Sequence, residues 1–452
     1  MKKIFQYIML AVVTIVMAAC TSDIEETTAT TGKSNVQLVV GEFPAFGDSQ
    51  TRAIGTPDEG KTSWAEGDEL LLEMTSKTLG TKYAAFKYNG SSWELASGEL
   101  SYKEDEVPTF PHVYYAPNYK WEAGKLVLKE GKVAGTDEYI EGTAQITPNG
   151  EAITVKFSGA TRNYSRLRIA TMPNKPITVD TEYFTPARSS DMEQKGNYTL
   201  TSDEKGNACL YGTFENNSEV TVKYRGATLK TYKFSKETEN AKSYALDATV
   251  ISANSAEEIK SAIKQEVANS KTAIILNLAS DAGDNEFKTI REAFKNVQDA
   301  TIDLTLIGCK EIPADGLKEL NALKSIFLPD VTKIGMNALS RCVYLEEICA
   351  PNVSTIDERA FAGFIMLEKV TLGELTDVRG EANSGGGIFD DDNWTPYIDL
   401  YLPKNQEVMK GEFDNNSNQY IWKPTGESYF ASPDYDNGIF LGYQFNSVKS
   451  WE

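Results

Sequence analysis

The sequence predicts a mostly β chain: one or two antiparallel β-sandwiches, followed by a solenoid of stacked repeats with short helices. Three observations carry this. Apolar residues alternate with period two through much of 36–249, apolar positions recur every 22 residues through 323–378, and two stretches between them keep helical spacing. A strand that buries one face alternates, whereas a stack of similar units repeats at the length of one unit.

The chain opens with Met1, Lys2 and Lys3, then a nearly unbroken apolar run over 8–17, then Ala18, Ala19 and Cys20. That run is about half of the ~20 residues a membrane-spanning helix needs, so 1–19 reads as a signal peptide. A plain secretory signal also ends in small residues but needs no cysteine just past the cut. Met17, Ala18, Ala19 and Cys20 resemble the bacterial lipobox, although Leu is usual where Met17 stands. The resemblance implies that the Cys20 thiol is acylated and becomes the new N-terminus, a lipid anchor at the cell outer membrane. The linker 20–35 begins with the acidic stretch Asp23, Glu25 and Glu26. It resembles the segment that directs Bacteroidota lipoproteins to the outer cell surface, and it equally fits a solvated acidic linker. Residues 27–34 are Thr-rich and too weakly apolar to fold alone.

With 452 residues the chain has room for two or three domains. Its formal charge of -20 argues against nucleic acid or an anionic membrane face as partner. Besides Cys20, the cysteines are Cys209, Cys309, Cys342 and Cys349, without zinc-type spacing; three fall within the repeats and read as small core residues.

In 36–249, Leu38 and Val40 share one strand face, as do Ile153, Val155 and Phe157, Leu167 and Ile169, and Val220, Val222 and Tyr224. Asn89-Gly90 and Arg225-Gly226 supply hairpin turns between alternating strands. Many short strands that each bury one face favour sandwiches. The turn-rich stretch 125–149 is the expected boundary between two units. Thr51, Arg52 and Ala53, followed by Ser63, Trp64, Ala65, Glu66, Gly67 and Asp68, resemble the start of a Bacteroidota fimbrillin-like domain. The strands at 165–169 and 242–246 resemble parts of its second half. The resemblance implies paired transthyretin-like sandwiches, fimbrial subunits as partners, and Arg52 as the site where an arginine-specific protease removes an N-terminal strand.

The remainder, 250–452, starts with Ser255 and Glu258 in capping-box spacing ahead of Ile259, Ala262 and Ile263. A strand is expected over 272–278 and a second helix over 287–297. Then Leu323, Leu345 and Leu367 stand 22 apart, and Ile326, Ile348 and Val370 keep the step, as do Ile334, Ile356 and Val378. Pro403, after Leu400, Tyr401 and Leu402, marks a further turn displaced by an insertion around 380–387. Self-similarity at this period is the signature of a leucine-rich-repeat solenoid, in which no turn can bury its apolar face alone. The pattern Ile334, Gly335, Ala338, Leu339, Cys342 and Leu345 resembles the BspA-like leucine-rich-repeat family of bacterial surface proteins. Residues 420–445 are expected to cap the open end.

Little in the sequence points to catalysis. His112 is the only histidine, and no G-x-S-x-G elbow is present. Carboxylate pairs abound without singling out a site. Asp390, Asp391 and Asp392, and Asp434 with Asp436, are oxygen-rich but read more simply as solvated loops. The expectation is therefore a binding protein without enzymatic activity, cofactor or metal. Residues that alternate with the core should form an outward face carrying Ser325 and Phe327, Glu347 and Cys349, and Lys369 and Thr371. Phe327, Glu347 and Lys369 are the candidate partner-binding residues, with Trp394 and Tyr397 of an aromatic group that includes Tyr401, Tyr420 and Trp422. The expected role is adhesion, or binding a host, bacterial or fimbrial protein; the alternative is glycan binding for polysaccharide uptake.

Overall fold

A strand that must bury both faces reads as a continuous apolar run. Leu70, Leu71 and Leu72 are such a run, and all three are fully buried in the strand Glu69–Ser76. Leu70 and Leu72 join one core, whereas Leu71 packs on the other side with Ala85, Tyr114 and Leu126. The computed structural model describes residues 37–48, 60–103, 106–147, 152–189, 191–390 and 397–451. Over these the chain is mostly β, arranged in several sheets. Among them no helix is long and apolar enough to cross a membrane.

The first sheet has seven strands, from Gln37–Val40 at one edge to Trp93–Gly98 at the other. The second has eight, from Ala227–Lys233 to Gly47–Asp48, with Glu193–Thr201 paired at its side. Ile140–Ile146 and Ala152–Phe157 both belong to the first sheet, so the change of sheet falls at 158–164, beyond the predicted 125–149 stretch. The turn-rich composition there belongs to the connection between the strands Lys125–Leu128 and Ile140–Ile146, not to a change of core.

The expectation of purely antiparallel sheets is also corrected. Gln37–Val40 runs parallel to Ala152–Phe157, and Ser165–Ala170 runs parallel to Lys242–Asp247. Alternation reports which face is buried and says nothing of strand direction. The predicted hairpins form: Tyr88 pairs with Trp93, and Tyr224 with Ala227 across Arg225 and Gly226. Both turn residues take left-handed backbone, φ 46° and 92°, as a two-residue turn of the primed type requires.

The segment 37–48 ties the two sheets together. Leu38 and Phe43 are buried in the first core, where the Phe43 ring lies 4.9 Å from Trp64 and 5.4 Å from Tyr115. Farther on, Gly47–Asp48 pairs with Lys242–Asp247 at the edge of the second sheet. Between the two, the buried Arg162 donates to Glu138 at 2.9 and 3.1 Å and to the Pro44 carbonyl at 2.9 Å, with Phe46 4.0 Å away. Such added bonds to Nε and Nη2 offset much of the cost of burying the pair, while Nη1 is left without an acceptor.

Ser255 caps α1 (Ala256–Ala268) by accepting from the Glu258 N–H. The second helix, α2, spans Asp284–Phe294 rather than the predicted 287–297, because Glu286 accepts from the Gly283 N–H and sets an earlier start. An eight-stranded, wholly parallel sheet then runs from Ile251–Ser252 to Ser447–Trp451. Its register aligns Leu304, Ile326, Ile348, Val370, Leu400 and Val448. A six-stranded sheet aligns Ile312, Ile334, Ile356 and Val378, and a single apolar cluster contains both rows. Ala338, Leu339, Ala360 and Phe361 belong to the same cluster.

The second sheet also touches the parallel one. Met172, Tyr224 and Ile307 form a small apolar cluster. The Tyr224 hydroxyl donates to the buried Asp330 at 3.0 Å, the Gly308 N–H donates to it at 2.9 Å, and Arg225 stands 3.3 Å from it.

Candidate binding face

In a parallel sheet, every second residue of each strand points away from the core, and equal register stacks those residues into rows. One outward row is Asp303, Ser325, Glu347, Lys369, Asp399 and Ser447; beside it run Thr305, Phe327, Cys349, Thr371, Tyr401 and Lys449. The structure thus brings three sequence-predicted residues, Phe327, Glu347 and Lys369, onto one face of adjacent strands.

Their surroundings differ. Glu347 and Lys369 are 41 % and 44 % exposed and form an ion pair of 2.7 Å. The bond to Glu347 holds the Lys369 ammonium above its ordinary pKa. On the adjoining strands, the Ser447 hydroxyl, then Lys449, keep the Asp399 carboxyl below its usual value. The Tyr401 ring lies between the lysines, 5.5 Å from Lys369 Nζ and 5.4 Å from Lys449 Nζ. Cys349 is half-buried on this outward side rather than in the core, and burial pushes its thiol up to about 11. Cys309 and Cys342 are buried.

Phe327 is half-buried, and its cover comes from the second sheet: a β-carbon on Gly226 would stand 3.4 Å from its ring. The Arg225-Gly226 turn therefore covers the position that the sequence alone would pair with 420–422. Those residues lie on the other sheet, where Ile421 and Trp422 pair with Arg379 and Val378. Tyr420 and Trp422 accordingly do not share a platform with Tyr401. Tyr397 is 70 % exposed, two residues before Asp399. Cys20, Arg52 and Trp394 lie outside the described residues.

Sequence reasoning missed Asp399 and Lys449. The Leu400, Tyr401, Leu402 and Pro403 recurrence pointed to the first strand, but Ser447–Trp451 carries no repeat signature. It joins the sheet by parallel backbone pairing, with Val448 in the core and Ser447 and Lys449 bonded to Asp399.

The remaining candidates for chemistry have local explanations. His112 is stacked on Tyr114; its Nδ1 lies 2.8 Å from the Tyr114 hydroxyl and 3.2 Å from Glu141. Asp390 is buried, with its carboxylate accepting from the Asn383, Gly385 and Gly387 N–H groups and the Tyr443 hydroxyl. Those oxygens organise the 383–387 loop; Asp391 and Asp392 are outside the described residues. Among the described residues, no group of three or more His, Cys, Asp or Glu is placed to hold a metal ion. Among known proteins, no family matches the chain and no curated protein is similar to it.

Proposed function

We propose that this chain is a lipid-anchored bacterial surface protein that binds a partner protein through the outward face of a leucine-rich-repeat domain. The observation that carries the reading is the outward face, on which Glu347 and Lys369 of one row and Tyr401 and Lys449 of the adjacent row stand on consecutive parallel strands. Such a face offers charge and aromatic surface on a backbone already rigid before binding, which lowers the ordering cost of association. The BspA-like pattern in the repeats supports adhesion as the role, and Cys20 supports presentation at the outer membrane.

A charge exchange tests the site. Glu347→Lys combined with Lys369→Glu keeps an intramolecular pair but inverts the surface pattern. Cells displaying the exchanged variant are expected to lose adhesion while the melting temperature stays within a few degrees of the original. Retained adhesion would move the binding face elsewhere.

A second reading, as a fimbria-associated subunit, is favoured by one observation. Both Gln37–Val40 and Gly47–Asp48 precede Arg52, and each is an edge strand of its sheet. Cleavage after Arg52 would leave two edges whose exposed backbone groups a neighbour's strand could satisfy. Because Ser447–Trp451 is built into the parallel sheet, that strand is not free to act as a donor, and a terminal or tip position is the role proposed. Mass spectrometry of surface-extracted protein is expected to find a new N-terminus at Ala53; an intact chain across Arg52 would count against processing.

A further inference from the structure

The six-stranded sheet has an outward row of its own, and one place in it is hollow. Pro313, Gly335, Asp357 and Arg379 directly follow the paired core residues Ile312, Ile334, Ile356 and Val378. A depression of about 280 Å³ lies beside Gly335, whose backbone packs so closely on Ile312, Pro313 and Ala314 that a β-carbon would stand 2.8 Å from the Ala314 nitrogen. Its walls include Lys333, Asp357, Glu358 and Arg379, with Gln419 from the neighbouring strand and Met336, 45 % exposed, at the side.

Hydrogen bonding in and beside this depression is incomplete. Lys333 donates to Glu311 at 2.6 Å, and Lys423 donates to Asp377 at 2.7 Å. Arg379, by contrast, is 36 % exposed and only stands beside carboxylates: its Nε is 3.4 Å from Asp357 Oδ1 and 3.7 Å from Asp377 Oδ1. These three buried atoms make no hydrogen bond. A guanidinium offers five N–H donors in a fixed fork; in Arg379 the Nε is the one buried without an acceptor, while the side chain as a whole is partly open to the depression.

The charges narrow what could use them. Glu311, Asp357 and Glu358 oppose Lys333 and Arg379, so the depression holds both signs in near balance. An anion would meet three carboxylates, and a cation would meet two cationic side chains. A neutral ligand that accepts at one atom and donates at the next avoids both conflicts. Adjacent hydroxyls on a sugar ring do this: one accepts from the Arg379 fork, and its neighbour donates to Asp357 or Glu358. Met336 presents apolar surface to the C–H face of the ring. We infer that this depression is a saccharide-binding site, separate from the face proposed for protein binding.

The test uses the full chain and ligand-observed NMR, with the methyl α-pyranosides of glucose, galactose and mannose as separate probes and glycine and acetate as charged controls. At least one pyranoside is expected to bind weakly, and Asp357→Asn should weaken it by about tenfold or more, the scale of one lost hydrogen bond to a charged group. Ala314→Trp, placed on the exposed wall, should abolish binding by filling the depression while the melting temperature is unchanged. Binding by none of the pyranosides, binding that survives Ala314→Trp, or occupation by glycine or acetate instead would overturn the inference. The Glu347 and Lys369 exchange should leave sugar binding unaltered, so the two sites fail or stand independently.

Discussion

Leu345 has no exposed surface, in the same apolar cluster as Leu323, Ile348 and Leu367. Truncation to Ala removes buried methyl groups and leaves a cavity that a stacked core can close only in part. Leu345→Ala should therefore cost about 2–5 kcal/mol in denaturant unfolding. A loss below about 0.5 kcal/mol would show that the site collapses freely or is not core. At this scale the sequence was readable, because spacing of 22 placed Leu345, Ile348 and Ile356 inside without reference to any partner. Phe327 shows where that reading stops. Alternation placed it outward, but only the Arg225-Gly226 turn, some hundred residues earlier, determines what covers it.

At the scale of an element, the 383–387 loop is organised by one carboxylate. Burial alone would raise the Asp390 pKa, but the Tyr443 hydroxyl and the N–H groups of Gly387, Asn383 and Gly385 outweigh it and hold the carboxyl below its ordinary value. The unfolded chain titrates near about 3.9. Stability from this charge is thus complete above about pH 4 and lost as pH falls through the lower, folded value. Asp390→Asn should cost about 1–3 kcal/mol at neutral pH, since an amide cannot accept from all four donors. Urea unfolding at pH 7 and pH 3 checks this: the penalty should shrink at the lower pH, and a penalty independent of pH would contradict the role given to the charge. The sequence marked Asp390 only as one of three acidic neighbours. Three of its donors are local backbone groups, but the fourth, Tyr443, lies far along the chain.

At the scale of the molecule, the proposed anchor and the folded sheets are joined through 20–35. An acyl chain contributes about 0.8 kcal/mol for each buried methylene, and two or more chains hold firmly where one does not. Cys20→Ala should therefore move the protein from the membrane fraction to the soluble fraction of lysed cells. A variant that remains membrane-bound with normal processing would remove the lipid from the account. The sheets themselves are coupled: Tyr224 and Arg225 meet Asp330, and Met172 packs with Ile307.

What the sequence by itself determined follows from periodicity. Alternation and a 22-residue step report which face of each element is buried, a local property that needs no knowledge of neighbours. They therefore located Ile326, Ile348 and Val370 in the core and Glu347 and Lys369 outside it. Tertiary structure alone decided strand direction, the place where one sheet gives way to the next, and the neighbours of each outward residue. Each of these depends on which distant segment supplies a partner. Gln37–Val40 lies parallel to Ala152–Phe157 because a long connection can return from either end. Likewise, Lys449 stands beside Tyr401 because the final strand had an open backbone edge to pair with, a vacancy that no pattern of side chains announces.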